Sequence, residues 1–425
     1  MGLFLCLKNY NISYIRIMIK QLLMCITFLL FVVGVNAQNL SITGVIKDKK
    51  GVELPGAGVY LSNYKNATST DGEGKFALRN LKPGSYDVLV QMMGFEPYTK
   101  NVVLSDKSVN IQIVLQENTI ALNEVVIRVD PNREKYLQVF KEFFIGKTPN
   151  AEKCKILNPQ VLRVDYDGDR RILTVKSSDF LIIENKALGY RLRYMLQFFE
   201  YNYNSRIVYY SGLPNYEDLK GSKAAKKRWV KNRETAYYGS SQHFFRSLYA
   251  GTSKEEGYIL HKMVSLPNTQ RPADSIINKQ IARLTRNRRS TVMIGSPVKD
   301  SLSFWANIRD MPKNINILDR STILLDTLVT QKYKDLKSIR FKDKLYVIYT
   351  RERESVDYTN FAGHSVSRPL DIPNYQISIV NMLESPVHFY ENGGIYESKS
   401  LLYEGFWAYE KIADMVPMDY IPLNT

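Results

Sequence analysis

Hydrophobic and polar positions alternate with a period of two through most of residues 39–116. The clearest runs place an apolar side chain at every second position, at Tyr86, Val88, Val90 and Met92 and again at Val109, Ile111, Ile113 and Leu115. Successive side chains of a strand point to opposite faces, so each run predicts a strand with one buried and one wet face. Turn residues separate the runs, at Lys50-Gly51, Asp71-Gly72-Glu73-Gly74, Pro83-Gly84 and Ser105-Asp106. The pattern predicts an antiparallel β-sandwich over residues 39–116.

The pattern changes to helical spacing after residue 129. Asp130-Pro131 can begin a helix, because Asp caps free N–H groups and Pro is tolerated in the first turn. Apolar side chains then recur at helical spacing, at Tyr136, Phe140, Phe143 and Phe144. Gly146 and Pro149 follow, where we expect the helix to end. We interpret residues 117–150 as a linker and a helix.

The remaining residues, 151–425, alternate between strand and helix patterns. A hairpin is predicted around Asp167-Gly168-Asp169, and apolar positions change parity at Phe198-Phe199. That change predicts either a β-bulge or a strand covered on both faces. Helical spacing returns at Ile277, Ile281 and Leu284 and again at residues 407–415, whereas residues 345–349 and 375–380 read as strands. We expect an α+β domain, mainly antiparallel, whose function the pattern does not indicate.

The first residues have the pattern of an export signal. Residues 22–35 are apolar apart from Thr27 and Gly34, with Lys20 before them and Ala37 after them. A basic start, a short apolar run and small residues at the end are typical of a secretory signal peptide, here residues 1–37. Translation could begin at Met1 or at Met18. Met24 precedes Cys25, where a lipoprotein needs a small residue, so we set lipidation aside. We expect a protein of the periplasm or one associated with the outer membrane.

Charge, hydropathy and cysteine content exclude three features: a nucleic-acid partner, a transmembrane helix and an internal disulfide. The chain has 58 Lys and Arg residues against 42 Asp and Glu residues, a net charge of +16. Export makes nucleic acid an unexpected partner despite this charge. No segment after the leader is apolar over eighteen residues, so we expect no transmembrane helix in the mature chain. Cys154, the one cysteine beyond the leader, has no partner for an internal disulfide.

Five short motifs within the predicted sandwich occur together in a known order. They are Gly44-Val45-Ile46, Leu54-Pro55-Gly56-Ala57-Gly58-Val59, Thr70-Asp71-Gly72-Glu73-Gly74-Lys75-Phe76, Leu81-Lys82-Pro83-Gly84-Ser85-Tyr86 and Gly94-Phe95. This part of the chain resembles the carboxypeptidase regulatory-like domain, a transthyretin-like or prealbumin-like sandwich. The family takes its name from an accessory module of zinc carboxypeptidases, and it also opens TonB-dependent transporters and exported bacterial proteins of unknown role. The resemblance implies a non-catalytic domain.

A further motif resembles the transporters. Leu122-Asn123-Glu124-Val125-Val126-Ile127 is similar to the short box that follows the domain in TonB-dependent transporters. Too few residues follow it for a transporter of that class. The segments at residues 181–190 and 237–245 look similar to the C-terminal part of exported bacterial proteins with the same first domain. That resemblance implies no mechanism.

Candidate catalytic residues form no complete set. A zinc carboxypeptidase needs a His-x-x-Glu pair and a later His, but His388-Phe389-Tyr390-Glu391 has no histidine after it. Cys154 could act with His243 or His261, although a buried thiol is the simpler interpretation. Asp165, Asp167 and Asp169 could serve a glycosidase or bind calcium, although a solvated hairpin turn explains them better. We therefore predict no catalytic residue, no metal ligand and no cofactor.

A basic segment is the strongest candidate for a binding surface. Residues 220–233 contain seven Lys and Arg residues and no acid. At 100° per residue, Lys220, Lys223, Lys227 and Lys231 fall on one helix face, with Trp229 opposite, and Arg228 is nearby. We predict a patch made of Lys220, Lys223, Lys227, Arg228 and Lys231 for an anionic partner, with an ordinary solvated helix face as the alternative. Arg283, Arg286, Arg288 and Arg289 form a second basic cluster.

Three functions remain open at this point. The leading hypothesis is an exported, non-catalytic cell-envelope adaptor that binds an envelope protein or an anionic glycan or lipid surface. A periplasmic hydrolase acting on peptide or glycan is the first alternative. A small outer-membrane-associated component, related to the N-terminal domains of TonB-dependent transporters, is the second.

Overall fold

The structure is a computed structural model of the chain. It describes residues 40–118, 130–288, 297–321, 328–333, 335–360 and 368–423, together with positions 20, 323 and 366. Apart from Lys20, the predicted leader lies outside the described residues, as do the 122–127 motif and Arg289.

Seven strands form the first part of the fold. They are β1 (Leu40–Asp48), β2 (Gly58–Leu61), β3 (Ala67–Ser69), β4 (Lys75–Leu81), β5 (Gly84–Gln91), β6 (Tyr98–Leu104) and β7 (Val109–Leu115). One sheet has the order β4-β1-β7 and the other β3-β2-β5-β6. Alternate side chains from both sheets, among them Ile42, Ile46, Val59 and Val88, are fully buried in one shared core. The predicted sandwich pattern of one buried and one wet face is therefore present.

One pair of strands differs from the expected antiparallel pattern. β1 pairs with β7 in parallel, with Ile42 opposite Val109 and Ile46 opposite Ile113. Parallel neighbours need a long crossover connection. Between β1 and β7 the chain forms the four strands of the other sheet and also β4, the second neighbour of β1, and a period-two pattern does not report that path.

A helix packed on a six-stranded sheet follows. The helix is α1 (Arg133–Phe144), and the strands are β8 (Cys154–Ile156), β9 (Leu162–Asp167), β10 (Ile172–Ser177), β11 (Leu181–Asn185), β12 (Tyr190–Asn202) and β13 (Val208–Asp218). The strands are ordered β8-β11-β12-β10-β9, and β13 pairs with the other edge of β12. Phe140 and Phe144 of α1 contact Phe199, which makes them the centre of this core. The register between β12 and β13 shifts between Leu196 and Phe198, so of the two alternatives a bulge is present, at Gln197 and not at the predicted Phe198-Phe199.

The start of α1 differs in detail from the prediction. The Asp130 carboxylate accepts a hydrogen bond from the backbone N–H of Asn132 at 2.7 Å. Asp130 therefore stabilises the turn before the helix, and Asn132 occupies the N-cap position without a side-chain cap.

The last part of the described chain combines six helices with two more sheets. The helices are α2 (Lys223–Tyr237), α3 (Ser241–Ala250), α4 (Asp274–Arg288), α5 (Pro297–Asp310), α6 (Val356–Asn360) and α7 (Phe406–Tyr409). The strands are β14 (Tyr258–Pro267), β15 (Asn314–Asp319), β16 (Val329–Tyr333), β17 (Leu336–Ile339), β18 (Lys344–Arg353), β19 (Tyr375–Met382), β20 (Val387–Tyr390) and β21 (Leu401–Gly405). They form an antiparallel sheet ordered β15-β14-β18-β19-β21 and a smaller sheet ordered β16-β17-β20. The described chain is thus mostly β, with antiparallel sheets and few helices.

The helix expected over residues 407–415 is shorter than predicted. A single turn, α7 (Phe406–Tyr409), ends at Glu410, and a separate 3₁₀ turn covers Ile412–Asp414. Lys411 between them is fully extended, and its backbone N–H donates to the Asp414 carboxylate. This local bond replaces the helical pairing that a continuous helix would need.

The sandwich is fixed to the second part of the chain by the loop between β2 and β3. The Tyr216 N–H donates to the Tyr64 carbonyl at 3.0 Å, and the Asn63 N–H donates to the Pro214 carbonyl. The buried Asn215 amide donates from Nδ2 to the carbonyls of Leu61, Tyr64 and Asn66, at 3.3, 2.9 and 3.2 Å. A small apolar cluster of Leu89, Phe180, Met195 and Leu213 completes the contact. The two parts of the chain are therefore held together by backbone pairing as well as by apolar burial.

Among the described residues, no helix has both the length and the apolar character needed to cross a membrane.

Candidate functional site

The predicted basic segment forms helix α2. Ser222 caps it by accepting a hydrogen bond from the Ala225 N–H at 3.2 Å, so Lys220 lies just before the helix and not on it. Lys223, Lys226, Lys227, Arg228 and Lys231 are exposed, as is Lys220. Lys223, Lys226, Lys227 and Lys231 fall within an arc of about 140° at 100° per residue. Within the described chain none of these six side chains forms an ion pair, so their charges face solvent.

The opposite side of α2 is fixed to the six-stranded sheet. Trp229 is buried, and its indole N–H donates to the Lys186 carbonyl at 3.0 Å. Arg233 donates to the carbonyls of Leu188 and Gly189, and its guanidinium lies 3.8 Å from the centre of the Tyr190 ring. The prediction that Trp229 faces away from the lysines is confirmed. Arg233, which contributes to the basic count, instead anchors the helix.

The second basic cluster is only partly described. Arg283 and Arg286 are exposed on α4, whereas Ile277 on the same helix is fully buried. Arg288 ends the helix, and Arg289 lies outside the described residues.

The candidate nucleophile is buried away from water. Cys154 is 6 % exposed, and its Sγ lies 3.4 Å from the Asn150 carbonyl. Burial raises the pKa of the Cys154 thiol to about 12. Because the thiolate is the nucleophilic form, this environment opposes reactivity.

His243 belongs to a different network from the one considered for Cys154. Its Nδ1 accepts the Gly239 N–H at 3.1 Å and lies 2.8 Å from the Tyr258 hydroxyl, while Nε2 lies 3.3 Å from the Glu256 carboxylate. A backbone donor on Nδ1 places the proton on Nε2, which donates to Glu256. Burial lowers the pKa of His243, which favours this neutral form. The network joins α3 to β14.

Asp167 stabilises the turn of the predicted hairpin. The Asp167 carboxylate accepts from the Arg170 backbone N–H at 2.9 Å and from the Arg170 guanidinium at 2.6 Å. These two bonds, the backbone one first, hold the pKa of Asp167 below its ordinary value. In the described part of the chain, no group of three or more His, Cys, Asp or Glu side chains is arranged to hold a metal ion.

A cleft of about 1010 Å³ lies between the six-stranded and five-stranded sheets. The five-stranded sheet contributes Met263, Leu318, Tyr346, Ile379 and the whole of β21. The opposite lining comes from the end of α1, including Phe143 and Lys147, and from residues 205–210 at the start of β13. The segment 407–411 supplies aromatic and charged groups. Asp165, Asp169 and His388, which were considered for hydrolytic chemistry, do not line this cleft.

Three carboxyl groups near the cleft have raised pKa values. Burial, followed by the neighbouring Asp414 and Glu352, raises the pKa of Glu410 well above its ordinary value. Burial alone raises the pKa of Asp414 to about 6 and that of Glu352 to about 7, against the hydrogen bonds that each accepts. Burial also lowers the pKa of Lys411 to about 8. Glu410 and Lys411 line the cleft itself.

Sequence reasoning missed these groups. The signal available was three charged residues, Glu410, Lys411 and Asp414, inside the apolar segment 406–416. Asp414 is held by Thr148 at 2.9 Å and Asn150 at 2.9 Å, far back in the chain. No local pattern relates those positions.

Comparisons with known proteins identify the first part of the chain. A family model described as the CarboxypepD_reg-like domain matches residues 42–127. Residues 42–127 are a carboxypeptidase regulatory-like domain. The resemblance drawn from the five motifs is therefore confirmed.

Two curated relatives each match about a quarter of the chain. The TonB-dependent receptor SusC of Bacteroides thetaiotaomicron is 30% identical over 110 residues, which is 26% of this chain and 10% of that protein. A TonB-dependent receptor of Formosa agariphila is 32% identical over 94 residues, covering 22% of this chain and 9% of its own. The match thus spans about a tenth of the length of these relatives.

Two solved structures match part of the chain at low identity. The backbone protein of the group B streptococcus pilus 2b matches with a TM-score of 0.18 and 18% identity, over 20% of this chain and 44% of that one. Catechol 1,2-dioxygenase from Acinetobacter matches with a TM-score of 0.18 and 14% identity, over 22% and 58%.

Proposed function

We propose that the protein is an exported, non-catalytic adaptor of the cell envelope that rests on an anionic lipid surface through the exposed face of α2. The observation that carries the proposal is the set of unpaired, exposed cations on a helix whose other face is fixed by Trp229 and Arg233. A fixed helix presents its charges as one surface, which lowers the conformational cost of binding.

The family and the relatives support the location. The regulatory-like domain, and the similarity of part of the chain to two TonB-dependent receptors, support an envelope protein. We further propose that the sandwich is transthyretin-like, with β1 between β4 and β7.

The free energy that the lysines of α2 can contribute to membrane binding limits what this face can do. Each Lys or Arg near an anionic membrane contributes roughly 1 kcal/mol. The four lysines on one face give about 4 kcal/mol, which corresponds to a dissociation constant of ~1 mM. The face can therefore orient the protein on a membrane, and a second contact must supply tight binding. We propose that the α2 face orients the adaptor and that a second contact binds it tightly.

Vesicle sedimentation of the chain without residues 1–37 tests the proposal. We expect binding to phosphatidylglycerol vesicles and little binding to phosphatidylcholine vesicles. Changing Lys223, Lys227 and Lys231 together to Glu should weaken binding at least about tenfold, because the local charge reverses.

The matched control changes three exposed lysines elsewhere, Lys49, Lys107 and Lys254, to Glu. It alters the net charge equally but leaves α2 intact, so binding should change by less than about threefold. Equal losses in the two variants would show that net charge alone attracts the protein, and the α2 surface would be rejected.

A further inference from the structure

The outer edge of β13 is divided into two halves. In an antiparallel strand, residues that bond to the neighbouring strand alternate with residues whose N–H and C=O groups face away from it. At one end the Asn202 N–H of β12 donates to the Ile207 carbonyl, so odd-numbered residues face β12. At the other end Pro214 and Tyr216 face away and bond to the sandwich loop. At both ends of β13, therefore, odd-numbered residues face β12 and even-numbered residues face away from it.

The half of this edge that the sandwich does not use lies in the cleft. By that parity the backbone groups of Val208 and Tyr210 point away from β12, and both residues line the cleft. Within the described chain, no hydrogen bond reaches these outward backbone groups. An unpaired strand edge of this kind is a template for another extended chain.

The sandwich loop shows that the outer edge of β13 bonds to backbone from outside its own sheet. Asn63 donates to the Pro214 carbonyl and Tyr64 accepts from the Tyr216 N–H, although the loop is a turn in which Asn63 has a φ of +67°. The cleft continues this line past Tyr210, and its volume of about 1010 Å³ leaves room beside the edge.

The charges of the cleft indicate the chemistry of the occupant. Lys147 pairs with Glu142, and Arg368 pairs with Glu354. Arg206 and Lys411 also line the cleft, and neither forms an ion pair within the described residues. Glu404 is already paired with Lys344 at 2.9 Å, and Glu410 is a buried carboxyl group whose raised pKa favours its neutral form. The cations left over therefore favour carboxylates, and the Phe143, Leu318 and Ile379 side chains favour apolar groups between them.

We propose that this cleft binds an extended acidic peptide of a partner protein, which adds a strand to β13 at Val208 and Tyr210 and places a carboxylate near Arg206. Main-chain pairing supplies affinity, and the alternate side chains of the peptide supply selectivity. This site is separate from the α2 face and would give an adaptor its second contact.

Fluorescence anisotropy with short labelled peptides tests the proposal on the chain without residues 1–37. The probe alternates valine with glutamate or threonine, and we expect a dissociation constant at or below ~1 mM. One comparison peptide has lysine in place of glutamate, and a second carries N-methyl groups on alternate backbone nitrogens. Each should bind at least about fivefold more weakly, because one loses the charge complement and the other the strand pairing.

Two variants locate the site. Val208→Pro removes an outward N–H, which an edge strand tolerates, and should weaken binding about fivefold, whereas Val208→Thr keeps the N–H and should not. Arg206→Glu should weaken binding of the acidic probe and improve binding of the lysine peptide. Arg79→Glu, an exposed arginine of the sandwich, is its control and should change neither.

Several outcomes would overturn the proposal. They are no binding of the acidic probe at ~1 mM, equal binding of the N-methylated peptide, or equal effects of Arg206→Glu and Arg79→Glu. The triple lysine variant of α2 should keep peptide binding while it loses vesicle binding. Failure of either site can therefore be told apart from failure of the other.

Discussion

The carboxyl group of Glu352 accepts a hydrogen bond from Nε2 of Gln376 at 2.7 Å and is otherwise largely removed from water. Desolvation raises its pKa from 4.5 to about 7, because burial penalises the charged form. The folded protein therefore binds this proton more tightly than the unfolded chain does. The stability that the proton contributes is complete below about pH 4.5 and is lost as the pH rises through about 7.

Replacing the Glu352 carboxyl group with an amide should remove the loss of stability that occurs as the pH rises through about 7. We expect Glu352→Gln to match the parent protein at pH 4 and to be more stable at pH 8 by on the order of 2 kcal/mol. Urea unfolding at the two pH values measures the difference. Glu134→Gln, at an exposed position of α1, should show no such divergence. A parallel pH dependence in all three proteins would contradict the role of burial at Glu352.

The thiol of Cys154 gives a second residue-scale prediction. Its pKa of about 12 and its burial both oppose thiolate formation. In a chain starting at Gln38, where Cys154 is the one cysteine, we expect little reaction with Ellman's reagent at pH 8. Full reaction should follow in guanidinium chloride. Rapid reaction of the folded protein would instead mark Cys154 as accessible.

Among the elements, α2 depends on two glycines that accept its tryptophan. A Cβ at Gly189 would lie 2.2 Å from Cδ2 of Trp229, and one at Gly221 would lie 2.4 Å from the same ring system. Gly189 also has a φ of +72°, which disfavours other residues. The position of α2, and hence of its basic face, is set by this close contact.

A pair of alanine substitutions separates contact from backbone strain. Gly251 has a φ of +75° with open space around it, whereas Gly189 has a similar φ against Trp229. We expect Gly251→Ala to cost about 1 kcal/mol of unfolding free energy and Gly189→Ala to cost at least about 2 kcal/mol more. Chemical denaturation measures both. Equal costs would show that Trp229 moves aside readily.

Elements governed by local periodicity could be predicted from the sequence. The alternation in β5 and β7, the stripe of α1 and the bulge near Phe198 all follow from neighbouring residues. The parallel pairing of β1 with β7, the break at Lys411 and the lining of the cleft could not be predicted. The strand pairing and the cleft lining depend on residues far apart in the sequence, which periodicity does not relate. The break at Lys411 depends on a bond to Asp414, whose carboxylate is in turn held by the distant Thr148. The basic face of α2 could be predicted from the sequence because its lysines and arginines are close together along one segment.

At the scale of the whole molecule, Asn215 is the polar centre of the contact between the sandwich and the rest of the chain. Its amide satisfies three carbonyls of the loop after β2, and Lys65 pairs with Asp218 at 2.8 Å beside it. Removing the amide takes away these bonds and leaves the three carbonyls with their backbone donors alone, the N–H groups of Tyr64, Tyr216 and Leu61. Loss of these hydrogen bonds should weaken the contact between the sandwich and the rest of the chain.

We expect Asn215→Ala to lower the unfolding free energy by about 1–3 kcal/mol. The exposed Asn307→Ala of α5 should change it by less than about 0.5 kcal/mol. Differential scanning calorimetry checks both and also shows whether the sandwich and the remainder still unfold together. Similar transitions in both variants would mean that the apolar cluster around Leu89 holds the parts together without Asn215.

The shared edge of β13 has a consequence for self-association. While residues 63 and 64 occupy Pro214 and Tyr216, a foreign strand can reach only the stretch beside the cleft. Detachment of the sandwich would also expose Pro214 and Tyr216, and a second molecule could then supply its own loop to these vacated positions. Conditions that weaken the domain contact should therefore favour exchanged dimers, in which each partner contributes the loop that the other has lost.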